Sequence, residues 1–224
     1  MSDLNGINPT DVTVIIPCLN ESGALPAVLA AMPHGYRVTV VDNASTDGTS
    51  DVARRCGADV VYAGVPGYGS AVDAGVRAAT TAVVCVLDGD GSMDPGDLPA
   101  LVTALDDGAD LAVGRRIPLP HSGWPIHSRV GNAVVASRLR QRYGLPVHDI
   151  AAMRAVRRTA LLDLAVTDRR SGYPLELLVL AARAQWRVVE CDVTYRRRAA
   201  GRSKVSGSLR GTVGAVLDFW RVIG

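Results

Sequence analysis

The sequence lacks the features that several protein classes require. Its 224 residues include one Phe and only 4% aromatic residues, with no aromatic-rich RNA-recognition motif, so we expect no nucleic-acid partner. The four cysteines form no Cys-x-x-Cys pair, which is typical of small buried side chains in a reducing compartment. No eighteen apolar residues run uninterrupted, and the first residues do not resemble a signal peptide. A cytoplasmic protein is therefore expected.

Positive charge is scarce in the first half of the chain. Residues 1–110 contain 4 Arg and 15 acidic residues, a net charge of −11, whereas residues 111–224 contain 20 Lys and Arg and 7 acidic residues, a net charge of +13. This split indicates an acidic half that holds a metal ion and a basic half that meets phosphate groups. The length and the 48% hydrophobic content predict one domain with a single core.

Short apolar runs alternate with helical patterns in the first half, which predicts an α/β fold with a mainly parallel sheet. Strands are predicted over Val12–Ile16, Val38–Val41, Asp59–Tyr62, Ala82–Leu87 and Asp110–Val113. Helices are predicted between them over Leu25–Met32, Gly48–Cys56, Ala71–Ala79 and Pro95–Leu105.

The second half begins with GRRIPLPHSGWP, which is too rich in Pro, Gly and Arg to predict regular structure, and loops of that length are usually functional. Beyond it we expect a helix over 126–143, a strand over Ala151–Val156, a short helix to Leu164, a helix over Leu175–Ala184 and a strand over Arg187–Tyr195.

The end of the chain has two further features. The basic segment RRRAAGRSKVSGS is a candidate mobile lid. From Val205 to Ile223, apolar residues recur at helical spacing, which predicts a C-terminal helix. Packing on the core is favoured for this helix, with contact to a membrane surface or to a second copy in a homodimer as the alternatives.

Two carboxylates, Asp88 and Asp90, directly follow the apolar strand predicted over Ala82–Leu87. Hard oxygen donors one residue apart suit Mg²⁺ or Mn²⁺, which take their remaining ligands from water and from substrate phosphates. The alternative is an acidic turn that caps the next helix.

Polar groups follow two other predicted strands in the same way. Asn20 and Glu21 follow the first strand, and the segment 42–48 follows the second. Because the carboxyl ends of parallel strands share one edge of a sheet, we expect these groups and the aspartate pair to form one site. The segment GYGSAVDAG fails the dinucleotide-binding pattern, so its glycines serve the approach of a ligand or the close packing of a helix.

Four segments resemble a known family. PCLNE, VDNASTDGT, GYGSAVDAG and LDGDGSMDP, in this order and spacing, resemble the inverting family-2 glycosyltransferases of the GT-A fold over about the first 115 residues. The resemblance implies that Asp90 binds the metal ion, that Asp88 lies near the ribose and the sugar, and that Ser92 stands where a further metal ligand is expected. The carboxylate pair itself makes Asp88 a second expected ligand. The resemblance also implies a nucleotide-sugar donor across the strand ends, with uracil and guanine both open as the base. The expected donor-binding residues are Pro17, Leu19, Glu21, Val41, Asp42, Asn43, Gly69, Asp88 and Gly89.

The second half, from about residue 116, resembles the polyprenyl-phosphate sugar synthases of that family. The resemblance implies that Arg115 and Arg129 bind an acceptor phosphate. Arg198 and Lys204 match a segment of the form Arg-x-x-Gly-x-Ser-Lys and suit stabilisation of the leaving diphosphate. An alcohol acceptor would need a general base instead, and Asp149 is the candidate for that.

These observations lead us to expect a metal-dependent inverting glycosyltransferase of one domain. The preferred acceptor is a polyprenyl phosphate at the cytoplasmic face of a membrane, which the protein contacts peripherally. Three alternatives remain: a soluble hydroxylated metabolite or natural product as acceptor, a sugar-nucleotide-binding module without turnover, and a nicotinamide-dependent oxidoreductase, which the glycine spacing disfavours.

Overall fold

A seven-stranded sheet forms the centre of the computed structural model, which describes residues 6–150 and 153–199. The strands are β1 (Val12–Cys18), β2 (Arg37–Asp42), β3 (Asp59–Tyr62), β4 (Val83–Val86), β5 (Leu111–Pro118), β6 (Arg154–Arg157) and β7 (Val188–Tyr195). Their order is β3-β2-β1-β4-β6-β5-β7, and β6 alone is antiparallel to its neighbours. The predicted α/β fold with a mainly parallel sheet is confirmed.

Helices pack on both faces of this sheet. The helices of the described residues are α1 (Leu25–Ala30), α2 (Thr49–Arg55), α3 (Tyr68–Ala78), α4 (Leu98–Asp106), α5 (Ile126–Tyr143), α6 (Arg158–Asp163) and α7 (Tyr173–Arg183), with 3-10 turns at Pro9–Asp11 and Pro95–Asp97. In β1, Ile15 belongs to one buried cluster, while Val14 and Ile16 belong to the other. Because successive strand residues face opposite sides, both faces of the central strands are apolar.

The main difference from the sequence prediction lies in β5. The strand continues through Arg115 and Arg116 to Pro118, where we expected irregular structure. The cause is a tertiary contact, because β5 pairs with β7 in parallel over its full length. Pro118 ends the strand, where its missing N–H disrupts little pairing.

Two glycines at the start of α3 permit a close tertiary contact. A Cβ atom on Gly69 would lie 2.2 Å from the carbonyl oxygen of Asp168, and one on Gly67 would lie 2.1 Å from that of Arg169. The Gly69 N–H donates to the carbonyl of Arg170 at 3.1 Å. The glycines of GYGSAVDAG therefore serve helix packing, and α3 begins at Tyr68 instead of Ala71.

Candidate active site

The carboxyl ends of β1, β2 and β4 meet at one edge of the sheet, as their parallel pairing requires. The Asn43 N–H donates to the carbonyl of Cys18 at 2.8 Å. A Cβ atom on Gly89 would lie 2.7 Å from Cys18 Sγ and 3.8 Å from Cγ of Glu21. The segments that follow the three strands are thus in direct contact.

The antiparallel strand β6 brings its first residue to this same edge. Arg154 pairs with Val86 at the end of β4 and with Val113 on β5. Its side chain is buried and interacts electrostatically with Asp88. Because β6 is antiparallel to β4 and β5, its first residue lies at the edge where those strands end. The direction of β6 therefore supplies a buried cation to the site.

Asp88 and Asp90 form the acidic centre of the site. Asp90 is buried, and its Oδ1 accepts the Ser92 N–H at 2.8 Å. The Asp88 carboxylate accepts no hydrogen bond from any residue that the structure describes. Desolvation of this only partly exposed side chain and the nearby Asp90 raise the pKa of Asp88 to about 7, while Arg198, Arg116 and Arg154 act in the opposite direction.

The carboxylates of Asp88 and Asp90 fit a divalent cation that takes only some of its ligands from the protein. Among residues 6–150 and 153–199, no three His, Cys, Asp or Glu side chains come together as metal ligands. Two adjacent carboxylates, one of them without a hydrogen-bond donor, match Mg²⁺ or Mn²⁺, which retain water and phosphate ligands. Ser92 is buried beside them, and its role as a ligand stays a prediction.

The segment after β7 lies against this acidic loop. Met93 forms an isolated antiparallel bridge with Tyr195, and the Ala199 N–H donates to the carbonyl of Asp90 at 3.0 Å. Arg198 Nη1 lies 2.6 Å from Asp90 Oδ2. Arg198 therefore neutralises the carboxylate that is predicted to bind a metal ion. Lys204, the rest of the basic segment and the predicted C-terminal helix lie outside the described residues.

A second group of side chains surrounds Arg116. Its Nε and Nη2 donate to the two carboxylate oxygens of Asp149 at 2.7 and 2.6 Å, and its backbone N–H donates to Oδ2 at 2.9 Å. The guanidinium carbon lies 4.1 Å from the ring centroid of Trp124 and 5.6 Å from that of Tyr195. Arg116 is thus held rigidly on an aromatic face beside Asp88, with which it interacts electrostatically.

The two arginines predicted to bind acceptor phosphate are placed differently. Arg129 on α5 is exposed, its guanidinium carbon lies 5.9 Å from the Trp124 ring centroid, and its side chain makes no ion pair with any described residue. Arg115 instead forms a bidentate pair with Asp192 on β7, at 2.6 and 2.8 Å. Because neighbouring strand residues face opposite sides, Arg115 and Arg116 lie on opposite faces of β5, and Arg115 Nε also lies 3.9 Å from Oε2 of Glu190.

Asp149 has little freedom to act as a base in this arrangement. Both of its oxygens accept from Arg116, and it is buried. Its own N–H donates to Oε1 of Glu190 at 3.0 Å. These contacts show Asp149 as the residue that orients Arg116, and the role of general base for an alcohol stays a prediction.

Several residues predicted to bind the donor lie at the same edge. Asp42 is buried and accepts the Ser45 N–H at 2.7 Å and the Ser50 hydroxyl. Asn43 Oδ1 accepts the Gly67 N–H at 3.0 Å. The partly exposed donor-binding candidates at this edge are Pro17, Leu19, Glu21, Asn43 and Asp88.

Two other donor-binding candidates are placed differently. Val41 is fully buried in the core, and Gly69 packs against the 168–170 segment. The Gly69 N–H is already bonded within the protein, and a role of Gly69 in donor binding stays a prediction.

Arg116, Arg154 and Trp124 belong to the site, although the sequence prediction did not include them among its residues. Arg154 carried a signal, since it lies within the strand predicted over Ala151–Val156, which follows the predicted Asp149. The choice between Arg115 and Arg116 depends on the exact register of β5, which the sequence did not reveal.

Comparison with known proteins identifies the family. Residues 13–164 match the model of the family described as Glycosyl transferase family 2. An uncharacterised glycosyltransferase of Mycobacterium tuberculosis is 66% identical over 212 residues, covering 95% of this chain and 97% of that one. Polyprenol monophosphomannose synthase of Mycolicibacterium smegmatis is 35% identical over 225 residues, covering 90% and 84%.

A solved structure shows the same fold. Glucosyl-3-phosphoglycerate synthase from Mycobacterium tuberculosis, in complex with Mn²⁺, UDP and glucosyl-3-phosphoglycerate, matches with a TM-score of 0.73 at 19% identity, over 95% of this chain and 77% of that one. The fold is that of the GT-A glycosyltransferases, as the sequence predicted. The chain belongs to glycosyl transferase family 2 and is a glycosyltransferase. Within the described residues, no helix has both the length and the apolar content needed to cross a bilayer.

Proposed function

We propose that the protein transfers a sugar from a UDP- or GDP-sugar to a polyprenyl phosphate, with inversion at the anomeric carbon. The observation that carries the proposal is the guanidinium of Arg116, fixed by Asp149 and stacked on Trp124 beside the exposed Arg129. Two arginines close to one aromatic ring favour a phosphate ligand, because each guanidinium keeps N–H groups that can donate to phosphate oxygens. The relative in Mycolicibacterium smegmatis bears the name polyprenol monophosphomannose synthase, which agrees with such an acceptor.

The donor is proposed to lie across the ends of β1, β2 and β4. Glu21, Asp42 and Asn43 would contact the nucleoside, and Asp88 would lie near the ribose and the sugar. A Mg²⁺ or Mn²⁺ ion held by Asp90 and Asp88 would supply charge stabilisation of the departing diphosphate. Arg198, which lies 2.6 Å from Asp90, is proposed to contact the same diphosphate together with Lys204.

The acceptor needs positioning more than activation. A phosphate monoester has its second pKa near 6, so its oxygen is already a nucleophile at neutral pH. Arg116 would hold that phosphate, since its Nη1 donates to no atom of the described residues. Asp149 would keep the guanidinium in place, and Arg129 would supply a second cation.

A transfer assay tests this function. UDP- and GDP-sugars should be incubated with Mg²⁺ or Mn²⁺, first alone to detect donor hydrolysis and then with a short-chain prenyl phosphate. We expect one donor class to be turned over, with metal-dependent sugar transfer to the prenyl phosphate. Transfer to the corresponding prenyl alcohol or to soluble hydroxylated metabolites, with none to the phosphate, would contradict the proposed acceptor. Donor binding with no turnover on any acceptor would indicate a binding module.

The ion pair of Arg198 with Asp90 predicts opposite effects on metal binding and on turnover. In Arg198→Ala, Asp90 loses a competing cation, so Mn²⁺ should bind the donor-free protein about tenfold more tightly, a gain of the size of one charged hydrogen bond. Turnover with saturating metal should fall, because the diphosphate loses a cation. Mn²⁺ binding followed by electron paramagnetic resonance and steady-state kinetics measure the two effects.

The adjacent Arg197 provides the control for this experiment. Arg197 is exposed and makes no ion pair with any described residue, so Arg197→Ala should change Mn²⁺ affinity and turnover little. Weaker Mn²⁺ binding by Arg198→Ala would contradict the competition between Arg198 and the metal.

A further inference from the structure

One face of α5 is apolar, and no residue within the described ranges 6–150 and 153–199 covers it. Ile126, Val130 and Val134 are 77%, 57% and 54% exposed. Their four-residue spacing places them one above the other on the same side of the helix. The buried Ala136 and Leu139 anchor the other side of α5 to the core. An exposed apolar row of this kind on a docked helix marks an interaction surface.

The charged residues of the sequence segment that contains this row have a single sign. Residues 111–148 contain no Asp or Glu and six arginines, namely Arg115, Arg116, Arg129, Arg138, Arg140 and Arg142. With about 100° of rotation per residue, Arg129 and Arg140 fall on one side of the row, and Arg138 and Arg142 fall on the other. Arg129 therefore lies beside the row, whereas Arg138 and Arg142 lie about one and two turns beyond Val134, and Arg140 Nη1 donates to the carbonyl of Val147 at 2.8 Å.

We propose that this face of α5, the row Ile126, Val130 and Val134 together with the exposed Arg129, Arg138 and Arg142, docks on the surface of an anionic lipid bilayer. The apolar side chains enter the boundary between headgroups and acyl chains, and the arginines contact the lipid phosphates. Ile117 and Leu119, in the segment that precedes α5, are also 41% and 46% exposed. These two side chains add exposed apolar surface to the segment that leads into α5.

The charge pattern favours a membrane over a second copy of the chain. In a symmetric dimer, each α5 face would meet the same face of its partner. The arginines of the two copies would then approach each other with no carboxylate from residues 111–148 to separate them. Anionic phospholipids supply the opposite charge and the apolar layer together.

The position of α5 links this surface to the site. Arg129, on the first turns of the helix, lies over the Trp124 ring that also supports Arg116. Asn132 Oδ1 accepts the Ile150 N–H at 3.1 Å, which fixes the helix beside Asp149. The inference rests on the proposed function for its biological purpose, since docking at α5 would present a membrane-borne lipid phosphate to Arg116 and Arg129.

Vesicle cosedimentation of the full chain tests the docking surface. We expect binding to phosphatidylcholine vesicles that contain phosphatidylglycerol and little binding to phosphatidylcholine alone. Ile126→Ser/Val130→Ser/Val134→Ser should weaken binding at least tenfold, because three apolar side chains no longer enter the bilayer. The matched control is Tyr62→Ser/Val65→Ser, whose side chains are 60% and 61% exposed at the opposite edge of the sheet, and it should bind normally.

A charge variant tests the second half of the inference. Arg138→Gln/Arg142→Gln should weaken binding to the anionic vesicles by roughly ten- to thirtyfold, given the usual contribution of each basic residue near such a surface. Arg37→Gln/Arg55→Gln removes two exposed arginines from the acidic half and should have a small effect. Wild-type binding by the serine variant or by the α5 arginine variant would overturn the proposal. So would a dimer, detected by light scattering, that the serine variant converts to a monomer.

Activity without membranes separates this inference from the proposed function. On a water-soluble short-chain prenyl phosphate, the serine variant should retain wild-type turnover, since its three residues lie outside the catalytic groups. If the wild type transfers no sugar to this acceptor while vesicle binding still depends on the α5 face, the proposed function fails and the docking surface stands. If transfer occurs while vesicle binding ignores that face, the docking surface is overturned.

Discussion

Replacement of Asp90 by Asn should reduce sugar transfer by roughly 10²–10³-fold, the equivalent of about 3–4 kcal/mol of transition-state stabilisation from a bound metal. The side chain is buried at the end of β4, and its Oδ2 is the atom that Arg198 neutralises at 2.6 Å. An amide removes the negative charge and keeps the size. Steady-state transfer rates at several Mn²⁺ concentrations, together with Mn²⁺ binding by electron paramagnetic resonance, measure the loss.

The control for Asp90 is an acidic residue of the same half that is far from the metal. Asp59 is exposed at the start of the edge strand β3, so Asp59→Asn should retain wild-type turnover. Thermal unfolding of both variants checks that the Asp90 substitution leaves the protein folded. Near-normal, metal-dependent turnover by a folded Asp90→Asn variant would contradict the role assigned to this carboxylate.

Replacement of Arg116 by Lys should reduce kcat/KM for the prenyl phosphate by roughly 30- to 300-fold, equivalent to about 2–3.5 kcal/mol. An ammonium group keeps the charge, but it loses the bidentate contact with Asp149 and the stacking on Trp124. The loss should appear mainly in the KM for the acceptor. Donor hydrolysis without acceptor should stay near the wild-type rate, because Arg116 is proposed to bind the acceptor phosphate.

Arg115→Lys is the matched control, one residue away on the same strand. Its guanidinium pairs with the exposed Asp192 on the far side of β5, so the change should alter kcat/KM by no more than about threefold, as expected for an exposed ion pair. Trp124→Leu keeps the Arg116–Asp149 pair and should raise the acceptor KM by a smaller factor. A larger loss in Arg115→Lys than in Arg116→Lys would reverse the assignment of the two arginines.

The strand ends of the first half could be predicted from the sequence because their signals are local. β3 was predicted at Asp59–Tyr62, where the structure places it, and the runs around Ile15 and Val84 were recognised from apolar residues alone. Once these strands are parallel, the topology itself brings Asp42 and Asp88 to one edge. Neither conclusion requires knowledge of distant contacts.

The second half was harder to predict because its structure depends on distant pairing. β5 extends through Arg116 only because β7, more than seventy residues later, pairs alongside it. A shift of one residue exchanges the two faces of a strand, so the sequence could not distinguish Arg115 from Arg116. Gly69 likewise resembled a ligand-binding glycine, whereas its close neighbour is the backbone of Asp168.

The most direct test of the account is the structure of the product that the transfer assay yields. The account predicts a sugar joined through its anomeric carbon to the prenyl phosphate, with the anomeric configuration opposite to that of the donor. Phosphorus and proton nuclear magnetic resonance of the purified product would detect the new phosphodiester and its configuration. A product with the donor's configuration, or a sugar joined to a hydroxyl group while the prenyl phosphate stays unmodified, would contradict the account.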